Sequence, residues 1–414
     1  MRIILWHGYL LGGTGSNVYT RALAREWSLA GHEVVVVCQE RHPEQYDLAG
    51  ARVIRPELPG GLLPVFVLDR YEGLDAKLLQ DFTAFERERY VAANVEAMEM
   101  LLPADLVFAN HVLMGGAVGA ALGQRFRVKA HGSELEYSMR GRPELERWGS
   151  ESLAVAEAVF VGSRHIREVL EEVTGHLDRV LEVPPGVDVA EFVPQERAEA
   201  LAELIAESRA DPPNPRNREE RLPDERNAER LESFLAGGGP IVVYFGKLIE
   251  NKGVQLLFEA LRTLEARAVI VGFGDYRTEL QRLAPDRVLF TGPLEHRHLV
   301  HLLPLAEVAV VPSIFPEAFG MVAAEAAACG CPPLVARHSG LAEIAEGLEE
   351  AYPPHLRHLA AFATGDVADL RAKLAELIEL TPADREALRA GARAAATERW
   401  SWAGVAARLL APVA

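Results

Sequence analysis

Residues 308–325 read VAVVPSIFPEAFGMVAAE, and this stretch indicates the class of the fold. It opens with an uninterrupted apolar run, Val308–Pro312, continues through a loop that contains Pro316, and enters an Ala/Val-rich segment after Gly320. Apolar runs without alternation are typical of parallel strands that are buried on both faces. The order of strand, loop and helix therefore predicts a βαβ unit and an α/β protein.

The same alternation of short apolar runs and amphipathic segments extends over the whole chain. Strands are predicted in the first half at Arg2–His7, Glu33–Cys38, Val53–Arg55, Leu106–Asn110, Arg127–Ala130, Ala158–Gly162 and Val180–Val183. In the second half they are predicted at Ile241–Phe245, Ala268–Val271, Val288–Thr291, Val308–Pro312 and Pro333–Ala336. Two consecutive βαβ series predict two Rossmann-like, doubly wound domains that bind ligands at the carboxyl ends of their strands.

We place the domain boundary soon after Pro184-Pro185-Gly186, with a first domain over 1–188 and a second over 189–392. Residues 195–239 fit neither sheet: two predicted helices, 196–208 and 228–235, flank a Pro- and Arg-rich loop. Because this loop has almost no apolar residues, we predict a surface insertion that acts as a solvated linker, with a lid or an oligomer contact as alternatives. A C-terminal helix is predicted over about 384–410, with Trp400 and Trp402 on it.

The composition excludes several classes of protein. The 414 residues carry 43 Lys+Arg and 60 Asp+Glu, a net charge of −17, which argues against nucleic acid or an anionic membrane as a broad-surface partner. No apolar run reaches the roughly 18 residues of a transmembrane helix. Three cysteines are too few for a disulfide framework, so we expect a cytoplasmic protein in which Cys329 and Cys331 are buried packing residues.

Three glycine-containing loops are candidate anion sites. The loop 246–253, GKLIENKG, holds Lys247 and Lys252, two of only five lysines, and backbone amides with two ammonium groups suit a diphosphate. The loop GGTGSN at 12–17 precedes a predicted helix, where glycines permit close approach of a ligand and the helix N-terminus favours an anion. A nicotinamide dinucleotide fits poorly, because Val18 occupies the position of the third glycine. The turn at Gly272 and Gly274 is a weaker candidate.

Two glutamates and two histidines are candidate site residues. Glu325 lies about two turns into an Ala/Val helix and needs hydrogen-bonding partners, for which the vicinal hydroxyls of a ribose are suitable. Glu317 precedes this helix and could bind a second sugar. Alternatively, Glu325 pairs with an arginine and Glu317 is an exposed cap; the residues alone leave both readings open. His131 and His111 each follow a predicted strand, at the edge of the sheet where side chains can point into a cleft.

The motifs and their order resemble the retaining GT-B glycosyltransferases of family 4, over nearly the whole chain. The matching pieces are GGTGSN, AHGSE, VGSRHIREVL, VPPGVDVAEF, YFGKLIENKG, VGFGD, FTGPL, PEAFGMVAAEAAACGCPPLVA and SGLAEI. The resemblance implies two Rossmann-like domains facing across a cleft and a C-terminal helix, about 393–414, that returns to the first domain. It also implies transfer of a sugar from a nucleotide-sugar donor, with UDP favoured and GDP or ADP as alternatives.

By this resemblance, most donor-binding residues lie in the second domain. Glu325 would bind the ribose, Glu317 the transferred sugar, and Lys247 with Lys252 the diphosphate. The remaining donor positions are the turns at Gly272, Gly274 and Leu294 around the base, the amides of Ala318, Phe319, Gly320 and Met321, and Gly13 of the first domain. Lys247 departs from the family, which commonly has Arg there, and an ammonium cannot form the planar fork of a guanidinium.

The resemblance further implies a front-face displacement with retention, in which the leaving diphosphate helps to deprotonate the acceptor hydroxyl. His131, Glu317 and Lys252 are the predicted catalytic residues. The predicted acceptor-side residues are Gly12, His111, Tyr137 and Arg140. We expect no cofactor and no catalytic metal. A non-catalytic nucleotide-sugar-binding protein stays open as an alternative, as do the identity of the acceptor and a homo-oligomeric state.

Overall fold

The structure is a computed structural model that describes residues 1–66 and 74–413. The chain divides into two compact units, Met1–Pro185 with the residues from Trp402 onward, and Gly186–Ser401. The division between them therefore falls after Pro185 and not after residue 188. Residues 67–73 and 414, which belong to the predicted first domain, lie outside the described residues.

The first unit is built on a seven-stranded parallel sheet in the order β3-β2-β1-β6-β7-β8-β9. Its strands are β1 (Arg2–Trp6), β2 (Glu33–Val37), β3 (Arg52–Ile54), β6 (Leu106–Asn110), β7 (Phe126–Lys129), β8 (Ala158–Val161) and β9 (Val180–Glu182). A separate parallel pair, β4 (Leu62–Val65) and β5 (Asp75–Leu78), was not predicted. The helices are α1 (Gly15–Leu29), α2 (Ala84–Glu99), α3 (Ala117–Leu122), α4 (Pro143–Ala154), α5 (Arg164–Thr174) and, at the C-terminus, α15 (Trp402–Leu410).

The second unit has a six-stranded parallel sheet in the order β12-β11-β10-β13-β14-β15. Its strands are β10 (Ile241–Phe245), β11 (Arg267–Val271), β12 (Val288–Gly292), β13 (Val308–Val311), β14 (Pro333–Ala336) and the unpredicted two-residue β15 (Ala361–Phe362). Its helices are α6 (Arg197–Arg209), α7 (Asn227–Ala236), α8 (Val254–Leu261), α9 (Arg277–Leu283), α10 (His296–Leu302), α11 (Met321–Ala328), α12 (Ser339–Ala351), α13 (Val367–Glu379) and α14 (Pro382–Arg399). The predicted α/β class with parallel sheets is confirmed.

The strands consist of continuous apolar residues because each sheet is covered on both faces, as the sequence indicated. In β1, Ile4 and Trp6 pack into one hydrophobic cluster, and Ile3 and Leu5 pack into another on the opposite face. All four side chains are fully buried. Consecutive residues of such a strand must all be apolar, since neither face meets water.

The prediction of one C-terminal helix over 384–410 is wrong. The helix α14 ends at Arg399, and α15 begins at Trp402. The Trp400 carbonyl at the break accepts a hydrogen bond from the Val187 N–H at 2.7 Å. Trp400 packs edge-to-face on Phe319 in the second unit, whereas Trp402 packs on Tyr19 in the first. The chain breaks here because the two indoles are buried in different cores.

The prediction that 195–239 is a solvated linker is also wrong. Leu204 of α6 and Leu231 of α7 are fully buried in the core of the second unit. In the loop between these helices, Asp224 is buried and forms ion pairs with Arg277 and Arg230. Its backbone N–H donates to the Thr291 carbonyl at 2.8 Å. The charged loop is therefore ordered by ion pairs and backbone hydrogen bonds. Its low content of apolar residues could not indicate these contacts.

Cys329 and Cys331 are buried free thiols, so the prediction that they are packing residues is confirmed. Among the described residues, no helix is both long enough and apolar enough to span a bilayer.

Candidate functional site

In the second unit, two predicted donor-binding residues from distant parts of the chain are in contact. Lys252 ends the short 3₁₀ helix Glu250–Lys252 that follows β10, and Glu317 lies in the loop after β13. The Lys252 Nζ forms an ion pair with the Glu317 Oε1, and both side chains are partly exposed. Lys247 is exposed, and its carbonyl accepts a hydrogen bond from the Tyr244 hydroxyl at 2.7 Å. The pair therefore combines a cation and a carboxylate at the carboxyl edge of the sheet.

The loop that carries Glu317 is held by residues to which the sequence assigned no role. The Glu317 N–H donates to the Ser339 Oγ at 2.8 Å, and the Gly340 N–H donates to the Glu317 carbonyl at 3.0 Å. The His338 Nε2 donates to the Ser313 carbonyl at 2.7 Å, which leaves its Nδ1 as the acceptor for the Ser339 hydroxyl. The backbone of Glu317 is thus held in place by Ser339 and Gly340, and the residue is not an exposed cap. The SGLAEI motif, which begins with Ser339 and Gly340, was the feature of the sequence that could have indicated these hydrogen bonds.

The helix α11 begins directly after this loop and presents free backbone amides. Gly320 is its N-cap residue with φ 116°, and no side chain caps the helix. Ala318 is exposed, whereas Phe319 is buried, with its ring centre 6.1 Å from that of Trp400 and its backbone against Gly340. Uncapped amides at a helix start can hold an anion or a sugar hydroxyl. Met321, the first helical residue, is half-buried.

Glu325 is a buried carboxylate on α11, with 7% of its surface exposed. Burial, with a contribution from the charge of Glu191, raises its pKa to about 8. The side chain beside it is His296 and not an arginine: the His296 Nε2 lies 3.5 Å from the Glu325 Oε1. The His296 Nδ1 lies 3.9 Å from the Glu191 Oε2, so the imidazole bridges two carboxylates. Sequence reasoning missed His296, which stands two positions after the FTGPL motif.

Gly272 and Gly274 lie where two loops of the second unit touch. Their φ angles are 140° and 151°, and a Cβ added to either would overlap a backbone carbonyl of residues 246 or 248. Glycine is required here because the turn after β11 packs directly on the loop that carries Lys247. Leu294, in the next turn, is half-buried against the core. The roles of all three in donor binding remain predictions.

The insertion contacts these same turns. The Arg221 guanidinium lies 5.5 Å from the centre of the Phe273 ring, between the two glycines. A cavity of about 680 Å³ at the other end of the insertion is lined by Arg226, Arg230 and Arg267, among others, and by none of the predicted donor residues.

In the first unit, His131 follows β7 and is held as a neutral imidazole. Its Nε2 donates to the Asn110 Oδ1 at 2.7 Å, because the Asn110 Nδ2 donates to the Thr20 Oγ1 at 3.2 Å and to the Trp6 carbonyl. Burial, reinforced by the nearby His111 and Lys129, lowers the His131 pKa well below its ordinary value. The Nδ1 lone pair of His131 is consequently an acceptor for a hydroxyl. Asn110 was not predicted as a site residue.

His111 follows β6 and lies beside His131, with ring centres 4.8 Å apart. It is buried, and its φ of 71° is unusual for a residue with a Cβ. Its Nδ1 lies 3.4 Å from the Glu134 Oε2. The structure therefore brings His111, predicted for the acceptor, to His131, predicted for catalysis.

The glycine loop before α1 leaves backbone accessible. Gly13 is exposed with φ 95°, and a Cβ placed on it would meet no atom within 4 Å. The Gly12 carbonyl accepts a hydrogen bond from the Asn17 Nδ2, and the Asn17 Oδ1 is 2.8 Å from the His7 Nε2. The loop is thus tied to β1 while Gly13 itself stays open to a ligand.

Tyr137 and Arg140 are surface residues at the short helix Glu134–Met139. Arg140 forms ion pairs with Glu136 at 3.1 Å and with Glu172 at 2.9 Å. Its guanidinium is therefore already paired with protein carboxylates. Acceptor binding by these two residues remains a prediction.

Two family models match the chain. The model described as "Glycosyl transferases group 1" matches residues 225–395, which lie in the second unit. The model described as "Glycosyl transferase 4-like domain" matches residues 14–186, almost all in the first unit. Residues 187–224, which include α6, lie between the two matches.

Similar proteins agree with this assignment. A D-inositol 3-phosphate glycosyltransferase of Xylanimonas cellulosilytica is 29% identical over 96% of this chain and 90% of the relative. A GDP-mannose-dependent monoacylated alpha-(1-6)-phosphatidylinositol monomannoside mannosyltransferase of Corynebacterium glutamicum is 27% identical over 72% of each chain. The solved structure of Anabaena HepE in complex with UDP and glucose superposes with a TM-score of 0.69 at 16% identity, over 98% of both chains. The chain belongs to the family 4, group 1 glycosyltransferases and has the GT-B fold.

Proposed function

We propose that this glycosyltransferase moves a sugar from a nucleoside diphosphate sugar to a hydroxyl acceptor with retention of the anomeric configuration. The observation that carries the proposal is the Lys252–Glu317 pair, which precedes a helix start with free amides and the buried Glu325. An ammonium and uncapped amides suit a diphosphate, and two carboxylates suit sugar hydroxyls. The family assignment supports the same reading.

In the proposed reaction, the second unit binds the donor. The bond between the anomeric carbon and the diphosphate oxygen breaks as the acceptor oxygen attacks from the same face. The acceptor proton passes to the leaving diphosphate. Lys252 and the amides at the start of α11 stabilise the charge that develops there, so the protein acts by positioning and electrostatics. Glu317 holds the transferred sugar and forms no covalent intermediate. No metal or cofactor is part of this proposal.

We favour UDP as the nucleotide and keep GDP and ADP as alternatives. The name of a solved relative includes UDP and glucose, whereas the name of a curated relative specifies GDP-mannose. The deciding experiment is calorimetric titration with UDP, GDP and ADP, followed by turnover assays with the matching sugars. Tighter binding of GDP than of UDP would reverse our preference.

The acceptor proposal is limited to a hydroxyl compound. The names of relatives suggest inositol phosphates and phosphatidylinositol mannosides as the first candidates to screen. Product mass spectrometry would identify the acceptor, and the anomeric proton coupling in NMR would report retention or inversion. Turnover in the presence of EDTA tests the metal-independent part of the proposal. An inverted product would contradict the proposed mechanism.

Two variants test the site assignment. Glu325→Ala should weaken nucleotide binding at least tenfold, which is about 1.4 kcal/mol, because it removes the carboxylate proposed for the ribose. His131→Ala should lower kcat more than donor affinity. Glu398→Ala, which changes an exposed residue of α14, is the matched control. If tight nucleotide binding is found with no turnover on any acceptor, the chain is a nucleotide-sugar-binding protein and not an enzyme.

A further inference from the structure

Glu134 is a fully buried carboxylate that sequence reasoning gave no role. It begins the short helix Glu134–Met139 after β7. Although burial alone would raise its pKa, the neighbouring His111 and the hydrogen bonds it accepts lower the pKa below its ordinary value. Glu134 is therefore an ionised group inside the first unit, where an unpaired charge would cost several kcal/mol.

Its two carboxylate oxygens connect the ends of two neighbouring strands. The Oε1 accepts the His131 N–H at 2.9 Å and faces the Val112 N–H at 3.4 Å. The Oε2 lies 3.4 Å from the His111 Nδ1. Because His131 follows β7 and His111 follows β6, one carboxylate sets the spacing of both histidines. It also offsets the strain of His111, whose left-handed backbone costs on the order of 1 kcal/mol.

The carboxylate also decides which nitrogen of His111 carries the proton. An ionised carboxylate accepts only, so the His111 Nδ1 carries a proton, and in the neutral form of the imidazole the Nε2 holds the lone pair. The Nε2 is buried and has no hydrogen-bond partner among the described residues. An orphaned buried acceptor costs about 1–3 kcal/mol. The rings around it belong to His7, Tyr9, Phe66 and His131.

We propose that Glu134 is a positioning residue: it holds His111 as the Nδ1–H tautomer, so that the Nε2 accepts a hydrogen bond from a hydroxyl of a polyol or sugar acceptor. This inference rests on the proposed function, because it assigns the acceptor to the first unit. An aromatic surround with one fixed acceptor suits a neutral polyhydroxylated ring, which supplies both a donor O–H and apolar C–H faces.

The first test is independent of activity. Long-range ¹H–¹⁵N spectra of the histidine-labelled full chain should show His111 with an unprotonated Nε2. Glu134→Gln should convert His111 to a mixture of tautomers, since an amide can accept or donate. Glu136→Gln removes a carboxylate two positions away that pairs with Arg140 on the surface, and should leave the imidazole signals unchanged. A protonated Nε2 in the wild type, or identical spectra in Glu134→Gln, would overturn the proposal.

The second test uses kinetics with the acceptor found by product screening. Glu134→Gln should reduce kcat/KM for the acceptor ten- to one-hundredfold while the Kd of the nucleotide changes less than twofold. His111→Gln, which offers no ring lone pair, should give the same loss and keeps the test valid if Glu134→Gln is unstable. Unchanged acceptor kcat/KM in both variants refutes the assignment. If the wild type transfers no sugar, the proposed function fails while the tautomer measurement still stands.

Discussion

The ammonium of Lys252 and the carboxylate of Glu317 form an ion pair across 65 positions of the chain. The pair is made because the loops after β10 and β13 leave adjacent strands at the same edge of a parallel sheet. Before the donor binds, each group thus partly neutralises the other. A diphosphate would compete with Glu317 for Lys252.

This competition predicts opposite effects of one substitution. Glu317→Gln should leave the affinity for a free nucleoside diphosphate equal or raise it, because Lys252 is released. It should lower kcat with the nucleotide sugar at least tenfold, because the sugar loses a charged partner. Calorimetry with the nucleotide and steady-state kinetics measure the two effects. Glu250→Gln, on the same short helix as Lys252, is the control, and a weaker nucleotide affinity in Glu317→Gln would contradict the competition.

The raised pKa of Glu325 predicts a pH-dependent stability. Between the usual carboxyl pKa of about 4.3 and the folded value of about 8, the folded state holds a proton that the unfolded state has lost. Glu325 therefore contributes stability that is full below about pH 4.3 and is lost as the pH rises towards 8. Glu325→Gln should be more stable relative to wild type at pH 8 than at pH 5, by up to a few kcal/mol. Urea unfolding at the two pH values is the measurement, and a pH-independent difference would exclude this role.

The hydrogen bond between Asn110 and His131 leads to a prediction about the protonation state of His131. Asn110→Asp replaces the amide oxygen, 2.7 Å from the His131 Nε2, by a carboxylate, which favours the charged imidazole. The His131 pKa should rise towards the neutral range, and turnover should fall as the pH drops below the new value. Histidine NMR titration and a pH–rate profile measure both changes. An unaltered pH profile despite a raised pKa would mean that turnover does not need neutral His131.

The position of His296 between Glu325 and Glu191 leads us to predict that it contributes to nucleotide binding. Its imidazole bridges Glu325 and Glu191, so His296→Ala leaves two carboxylates without the group between them. We expect the Kd for the nucleotide to change three- to tenfold, with kcat at saturating donor nearly constant. His301→Ala, on the same helix α10 and bonded to Gln195, is the control. Equal Kd values in both variants would remove His296 from the site.

Asp224 predicts that the insertion stabilises the second unit. Asp224→Ala leaves Arg277 and Arg230 without their buried partner and should lower the free energy of unfolding by about 3 kcal/mol. Glu265→Ala breaks an exposed pair with Arg287 and should cost less than about 1 kcal/mol. Chemical unfolding of both variants makes the comparison. A loss as small as that of Glu265→Ala would mean that the loop is not part of the folded core.

Local pattern was sufficient for much of this protein. Continuous apolar runs such as 241–245 identified the strands, because a parallel sheet buried on both faces permits no polar alternation. The positions of Lys252, Glu317 and His131 at strand ends followed from the same pattern. The sequence alone therefore determined the α/β class and the main candidate residues, together with the family that their motifs resemble.

The tertiary structure decided the contacts between residues that are distant in the sequence. Asn110 and His296 lie outside the quoted motifs, and Glu134, the last residue of AHGSE, had no role assigned to it. Each became a candidate only when folding placed it against a histidine or a carboxyl group from another part of the chain. The break at Ser401 also depends on tertiary contacts, since Trp402 is buried against Tyr19 of the first unit. Likewise, Asp224 is buried because folding brings Arg277 to it. Backbone periodicity reports burial along one element, whereas tautomers, pKa values and ion pairs depend on neighbours that only the folded chain brings together.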